Sequence, residues 1–304
     1  GGACFEGGME ARRRRWGAVL CTAAALFLAM AVAACAAAPG AAQWTEVPAP
    51  RSANGNTWAV IVSTSRYWLN YRHAANALAV YRAVRRAGVP DSRIVLMLAE
   101  DFSRNPRNVF PGSVFVDEAL QVDVARGKAE VDYEGDDVSA ASLARVLTGR
   151  HAARVPRSRT LPTTRESDVL LYVTGHGGEN FMKFQDKDMM SGEDLAEVVA
   201  EMRSLGRYRE LTIVVDTCKA STFCRHVSSP NVTCVSSSLR GQNSYSKHAN
   251  AEVGNSLVDE MTFLIQEQLA ERRFGKLVGR RAARAMYQRL RARMKSSTPH
   301  YRET

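Results

Sequence analysis

Short apolar runs rich in β-branched residues alternate with amphipathic segments along most of this chain. The first run covers residues 58–63, helix formers follow over 73–87, and a second apolar run covers 93–98. A short, continuously apolar run suits a strand buried on both faces, and parallel neighbours need a helical crossover between them. The alternation therefore predicts an α/β fold with a mostly parallel central sheet flanked by helices.

The same order continues towards the carboxyl end. The sequence predicts further strands at 168–174, 211–215 and 232–236, and further helices at 138–147, 194–205 and 257–269. Residues 101–130 show no periodicity and are predicted to be irregular.

The net charge of +10 is concentrated at the two ends of the 304-residue chain. Residues 12–15 are four arginines, and residues 271–304 hold 11 of the 41 lysines and arginines, whereas the body between them is near neutral. A basic groove is therefore not a property of the core, and no nucleic-acid partner is predicted. The basic tail, 271–304, is interpreted either as a solvated arm or as a contact with anionic head groups.

An apolar run from residue 16 to 38, with 11 alanines, follows the four arginines and precedes Pro39 and Gly40. We expect translation to start at Met9 and interpret residues 1–42 as an N-terminal extension and secretory signal peptide, with an uncleaved membrane anchor as the alternative. Either one would send the rest of the chain into the secretory pathway. We then expect residues 43–56 to form a linker, 57–270 a single α/β domain and 271–304 the basic tail.

Two predicted strand ends carry reactive side chains. His176 lies between glycines after the third strand, and Cys218 comes three residues after the fourth. Sites in open α/β sheets lie beyond the carboxyl ends of the strands, and an imidazole can activate a thiol for nucleophilic attack. A single Cys after a strand is more often a core residue, so the hypothesis depends on the pair.

Three cysteines lie outside the leader, namely Cys218, Cys224 and Cys234. Because the number is odd, at least one thiol lies outside any intrachain bridge. A bridge between Cys224 and Cys234 and two free thiols are both compatible with the sequence. A zinc site is less favoured, because these cysteines and His226 lack the paired ligand spacing.

Longer motifs resemble the family of GPI transamidase catalytic subunits over about residues 56–265. They include Trp-Leu-Asn-Tyr-Arg-His at 68–73, Asn-Pro-Arg-Asn at 105–108, Thr-Gly-His-Gly-Gly at 174–178 and Val-Asp-Thr-Cys at 215–218. The family resembles legumain and, more distantly, caspases, so the resemblance implies a caspase-like fold and membership of the C13 cysteine peptidases.

The resemblance also implies roles for individual residues. Cys218 corresponds to the nucleophile, His176 to the general base and acid, and Asn70 to the residue that orients the histidine. The other interpretation of Asn70 is a helix N-cap ahead of the helix at 73–87. By position alone, Ser236, Ser237 and Ser238 either shape the pocket for the small substrate side chain at the cleavage site or form a plain polar loop.

The implied reaction is a transamidation. The C-terminal GPI-attachment signal of a proprotein would be cleaved through a Cys thioester, and the new carboxyl end would be joined to the ethanolamine phosphate amine of a GPI lipid. A legumain-like endopeptidase, with water as the acceptor, is the first alternative. A non-catalytic subunit of the same complex is the second.

The resemblance further implies a structural calcium site formed by Asp91, Glu130, Asp132 and the backbone carbonyl of Ile94. Oxygen ligands suit Ca²⁺, although a solvated acidic edge explains the same carboxylates. No cofactor is expected for the chemistry itself. The expected partners are other subunits of a membrane-embedded complex on the lumenal side of the endoplasmic reticulum. The resemblance also implies a C-terminal transmembrane helix and a partner-bridging cysteine in many relatives. Residues 271–304 contain no apolar run of spanning length, and Arg104 stands at the position of that cysteine.

Overall fold

The computed structural model describes residues 54–127, 129–270 and 276–304. The predicted signal peptide and most of the predicted linker lie outside the described residues. Twelve strands are present within the described residues: β1 Thr57–Ser63, β2 Ile94–Leu98, β3 Tyr133–Glu134, β4 Asp168–Thr174, β5 Gly177–Gly178, β6 Phe181–Phe184, β7 Asp188–Ser191, β8 Glu210–Asp216, β9 Val232–Ser236, β10 Ser246–Asn250, β11 Asn255–Asp259 and β12 His300–Glu303. The helices are α1 Tyr71–Arg86, α2 Ala140–Thr148, α3 Gly192–Ser204, α4 Glu260–Ala270 and α5 Arg280–Arg293.

Seven of the strands form one central sheet in the order β12-β9-β8-β4-β1-β2-β3. All neighbouring pairs in it are parallel except β12 with β9, which is antiparallel. The predicted α/β class with a mostly parallel sheet is therefore confirmed, and the five predicted strands occupy its middle.

Alternate residues of each strand feed two separate apolar cores. In β1, Ala59 and Ile61 pack in a cluster with α1, α4 and α5, whereas Val60 and Val62 pack in a cluster with α2 and α3. All four side chains have no exposed surface. Because both faces are covered by helices, these strands are apolar without alternation, as the sequence indicated.

Local sequence explains where the helices around this sheet begin and end. Ser191 and Asp194 form a capping box at the start of α3, in which each side chain accepts a hydrogen bond from the other's backbone. Ser139 caps α2 at its start, and Gly149 ends it in the left-handed conformation at φ +75°.

The helix predicted at 257–269 begins three residues later than expected. Residues 255–259 pair with β10 in an antiparallel hairpin, and α4 begins at Glu260. The apolar spacing at Leu257 and Val258 fits a strand as well as a helix, and pairing with β10 gives the backbone its hydrogen bonds as a strand.

The structure does not support a solvated arm at the carboxyl end. Residues 276–304 belong to the domain, because α5 buries Ala283, Met286 and Leu290 against the core and β12 extends the sheet beside β9. The basic side chains of α5 lie outside this apolar stripe. No helix within the described ranges is long and apolar enough to cross a membrane.

Candidate active site

Strand register brings the two predicted reactive loops to one edge of the sheet. Thr174 at the end of β4 pairs with Asp216 at the end of β8, and His176 and Cys218 each follow two residues later. The loops are in contact: a Cβ atom on Gly177 would lie 2.7 Å from the Thr217 Oγ1 atom. Glycine at 177 therefore allows the histidine loop to approach the cysteine loop closely.

Asn70 holds the ring of His176. The Asn70 Oδ1 atom lies 2.8 Å from the His176 Nε2 atom, and the Asn70 Nδ2 atom donates to the carbonyl of Arg66 at 2.6 Å. Because the amide nitrogen is committed to a carbonyl, Oδ1 must be the acceptor, and His176 Nε2 carries the proton. The Nδ1 atom of a neutral His176 ring is then free to accept a proton.

The side chain of Asn70 makes no capping hydrogen bond, although the residue directly precedes α1. The helix-cap interpretation is therefore not supported, since both polar atoms of the side chain are used elsewhere. Asn70 is buried, and its side chain joins the loop after β1 to the loop after β4.

His176 is adapted to be neutral. Burial lowers the pKa of this half-buried imidazole, and the positive charge of Arg72 lowers it further. The charge of Asp186 opposes this shift, and the smaller effect of Lys183 adds to it. His73 packs edge-on against the His176 ring at 4.9 Å, and burial holds the pKa of His73 well below its usual range. A neutral His176 can act as a general base near neutral pH.

Buried serine hydroxyl groups form hydrogen bonds with the cysteine loop, residues 217–220, which carries Cys218. Ser237 Oγ lies 3.2 Å from the Thr217 amide nitrogen and 3.1 Å from its carbonyl oxygen, and Ser238 Oγ accepts from the Ala220 amide at 3.1 Å. Ser236, Ser237 and Ser238 have no exposed surface. They lie beside the cysteine as expected, but they hold its loop rather than line an open pocket.

The backbone amides around the cysteine differ in their partners. Lys219 donates to the carbonyl of Gln242 at 2.8 Å, and Thr217 and Ala220 donate to the serines. Within the described residues the amide of Cys218 donates to no acceptor. This amide is therefore able to donate to an oxyanion that forms at the cysteine.

Cys218 is half-buried and is the free cysteine of the described residues. Cys224 and Cys234 form a disulfide, which decides between the two alternatives that the sequence left open. This bond ties the segment after the cysteine loop to β9.

A buried polar network, which the sequence did not indicate, holds the ends of β4 and β8, directly before the loops that carry His176 and Cys218. Asp216 accepts from Ser244 at 2.9 Å and from Thr262 at 2.7 Å. Asp259 accepts from Asn76 at 2.6 Å, and Asn76 also donates to Thr174 at 3.1 Å. Burial raises the pKa of both carboxyls, so ionising either one is costly.

The segment after α5 also supports the cysteine loop. The buried Glu260 carboxylate accepts from the amides of Lys295 and Ser296, at 3.1 and 2.9 Å. Ser297 donates to the Ser237 carbonyl at 2.8 Å, and Thr298 donates to Gln242 at 3.1 Å. The predicted tail is therefore part of the scaffold of the site.

The carboxyl groups of the predicted calcium ligands, Asp91, Glu130 and Asp132, interact electrostatically with one another. A hydrogen bond with Asp91 and its charge raise the pKa of Glu130. Burial, together with the charges of Glu130 and Asp91, raises the pKa of Asp132 to about 7, and its carboxylate accepts from the Leu96 amide at 2.9 Å. Such repulsion would be relieved by a cation. Within the ranges that the structure describes, however, no three His, Cys, Asp or Glu side chains converge as ligands.

The sequence of the chain matches a known protein family. The sequence profile of the peptidase C13 family matches residues 57–301. The chain belongs to the peptidase C13 family.

Proteins named GPI-anchor transamidase are among the similar sequences. The Schizosaccharomyces pombe protein is 43% identical over 227 residues, which cover 75% of this chain and 60% of that protein. The Saccharomyces cerevisiae protein is 44% identical over 210 residues, covering 69% and 51%, and the Homo sapiens protein is 43% identical over 221 residues, covering 73% and 56%. The matched part of the chain thus spans between half and two thirds of the length of these relatives.

A crystal structure of caspase-1 from Spodoptera frugiperda aligns with a TM-score of 0.47 at 7% identity, covering 82% of this chain and 88% of that chain.

Proposed function

We propose that this chain is the catalytic part of a cysteine-dependent GPI transamidase. The observation that carries the proposal is the convergence of Cys218, His176 and Asn70 at one sheet edge, with Asn70 fixing the imidazole. The identity of 43–44% to proteins named GPI-anchor transamidase supports the choice of substrate class.

In the first half-reaction, His176 Nδ1 takes the proton of the Cys218 thiol, and the sulfur attacks the peptide carbonyl at the attachment site. The amide of Cys218 donates to the oxyanion of the tetrahedral intermediate. The carbon–nitrogen bond then breaks, and the imidazolium gives its proton to the leaving amine of the C-terminal peptide. A thioester between Cys218 and the proprotein remains.

In the second half-reaction, the amine of the GPI ethanolamine phosphate attacks the thioester carbonyl. His176 takes a proton from this amine and returns it to the Cys218 sulfur as the carbon–sulfur bond breaks. An amide then joins protein to lipid. Water competes for the same thioester, so transamidation requires that the amine be held close to it.

An assay with a surrogate amine tests the proposal. Membranes carrying the full chain are incubated with a proprotein that has a C-terminal GPI-attachment signal and with hydrazine. We expect the protein hydrazide to form, and we expect Cys218→Ala membranes to form none. Free acid as the main product would identify an endopeptidase instead, and an unchanged hydrazide yield with Cys218→Ala would identify a non-catalytic subunit.

We further propose that the chain works in the lumen of the endoplasmic reticulum with other subunits of a membrane-embedded complex. The Cys224–Cys234 disulfide supports an oxidising compartment. The family resemblance implies a bridging cysteine at the position of Arg104 in many relatives. The guanidinium of Arg104 pairs with Asp101 at 2.8 Å and Glu134 at 2.9 Å, so contact with a partner there would be non-covalent.

We also propose that Asp91, Glu130, Asp132 and the carbonyl of Ile94 hold a structural calcium ion. At a Ca²⁺ concentration of about 100 times Kd, binding would stabilise the fold by about 3 kcal/mol. We expect Ca²⁺ to raise the melting temperature of the wild type but not of Glu130→Gln. Glu134→Gln, which removes an exposed carboxylate on β3, is the matched control and should keep the response. An equal response in all three proteins would contradict the site.

A further inference from the structure

A single Asn-X-Ser/Thr motif occurs in the sequence, and it lies at the start of β9. Its residues are Asn231, Val232 and Thr233. In chains that enter the secretory pathway this motif is the acceptor for N-linked oligosaccharides, provided that the middle residue is not proline. So short a motif also arises by chance, and its surroundings in the structure decide whether a sugar fits there.

Asn231 combines a fixed backbone with a free side chain. Its amide donates to the Thr304 carbonyl at 3.0 Å, and its carbonyl accepts from the Leu211 amide at 3.0 Å. Its φ angle is +61°, in the left-handed region that asparagine tolerates better than most residues. The side chain is exposed, and within the described residues it forms no hydrogen bond. The side-chain nitrogen of Asn231 is therefore open to solvent.

An open cleft gives a sugar room beside Asn231. The cleft has a volume of about 640 Å³ and lies between the start of β9 and the start of α5. Charged side chains line it, among them Glu210, Lys276 and Arg280. A polar cleft of this size is large enough for the first sugar residues of a glycan, so their attachment requires no rearrangement of the core.

The hydroxyl group of Thr233 is accessible only before the sheet forms. In the folded chain Thr233 is 4% exposed, and its Oγ1 atom lies 3.0 Å from Oγ1 of Thr212 on β8. The motif requires this hydroxyl as well as the asparagine. Attachment therefore has to precede the pairing of β8 with β9, as it does when a chain is modified while it enters the lumen.

The disulfide next to the motif supports the compartment that this chemistry needs. Cys234 directly follows Thr233 and is bonded to Cys224. Disulfides form and persist in the lumen of the endoplasmic reticulum and outside the cell, whereas cytosolic thiols are kept reduced. The disulfide therefore supports, independently of the motif, the entry of this segment into the secretory pathway.

We propose that Asn231 carries an N-linked oligosaccharide. The donor is an oligosaccharide linked to a lipid pyrophosphate. The Nδ2 atom of Asn231 forms a bond to the anomeric carbon of the sugar and loses one proton, while the bond from that carbon to the pyrophosphate oxygen breaks and the lipid pyrophosphate leaves with the electron pair.

The glycan lies away from the candidate active site. β9 has five residues and ends at Ser236, next to the serines that hold the cysteine loop, so Asn231 is about 16 Å from that end along the strand. The glycan therefore leaves the carboxyl edge of the sheet open to substrate. The inference rests on the lumenal location proposed above and does not depend on the acyl transfer.

The test is removal of the glycan from the full chain expressed in eukaryotic cells. We expect peptide N-glycosidase to increase the mobility of the wild type on a denaturing gel by one glycan, and mass spectrometry to locate the site at position 231. Asn231→Gln and Thr233→Val should show no shift. Thr233→Ser, which keeps the motif, and Asn243→Gln, which changes an exposed asparagine outside it, should both keep the shift. A glycan that persists in Asn231→Gln would contradict the site.

Two further measurements separate this inference from the proposed function and location. The state of Cys224 and Cys234, measured by alkylation with and without reductant, reports whether the chain has reached an oxidising compartment. A chain with the disulfide but no glycan would overturn the modification alone, and a chain with two free thiols and no glycan would overturn the lumenal location as well. Asn231→Gln should form hydrazide at the wild-type yield. A glycosylated wild type that forms no hydrazide would contradict the transamidase and leave the modification site standing.

Discussion

Replacing Cys218 with alanine is expected to lower the rate of acyl transfer by at least about a thousand-fold while leaving the fold intact. In the proposed mechanism the sulfur forms the covalent intermediate, and no other thiol among the described residues is free to replace it. What activity remains would come from substrate binding and from amide donors to the oxyanion. Because Cys218 is half-buried and lies in a loop, losing one sulfur atom should cost little stability.

The measurement is hydrazide formation per mole of chain, with the melting temperature as a check on folding. The Cys218→Ser and His176→Ala variants should lose a similar amount of activity. A variant that combines His176→Ala with a substitution of Cys218 should be little slower than either single variant, because the two residues act as one unit. A Cys218→Ala variant that keeps a tenth of the activity would exclude the thioester route.

The placement of His176 and Cys218 in loops at the same edge of the sheet was predictable, because buried parallel strands have a simple signature. Their residues are apolar on both faces, so the strands and their carboxyl ends can be located in the sequence. The reactive side chains come directly after those ends. Which strands are neighbours is not encoded locally, and the contact between Gly177 and Thr217 had to come from the structure.

Residues 271–304 were predicted to be a tail because they are basic, but they include α5, which packs against the core. Ala283, Met286 and Leu290 have the i, i+3, i+7 spacing of an apolar stripe, and this signal was present in the sequence. Arginines occupy most of the surrounding positions, so the net charge of the segment obscures the stripe. A narrow stripe of apolar residues on a short helix therefore predicts that the helix packs against the core, even when the mean hydropathy of the helix is low.

Support for the site depends on contacts that no local pattern encodes. Asn76 and Asp259 are 183 residues apart in sequence, and the Glu260 carboxylate reaches amides 35 and 36 residues away. Acidic residues in apolar strands or at helix starts are usually interpreted as caps or exposed groups. Their burial follows from the assembled fold, so sequence reasoning missed them.

Replacing Asn70 is expected to reduce turnover through the histidine rather than through binding. In Asn70→Ala the His176 ring loses the acceptor that fixes its Nε2 proton, so the ring can rotate or adopt the wrong tautomer. We expect kcat to fall about 10- to 100-fold with little change in KM, as is typical of lost positioning. The melting temperature and the kinetic constants for the hydrazine reaction are the measurements.

Asn70→Asp separates positioning from mere support of the loop. A carboxylate keeps the acceptor but adds a negative charge, which raises the pKa of His176 from its lowered value. His176 must be neutral to accept the thiol proton, so activity rises as pH increases through this pKa, and the acidic limb of the pH–rate profile should move to higher pH in Asn70→Asp. If instead both variants lose activity in proportion to stability and keep the wild-type pH profile, Asn70 only supports the loop before α1. In that case the thiol–imidazole pair would have to be oriented by the packing of His73 against His176.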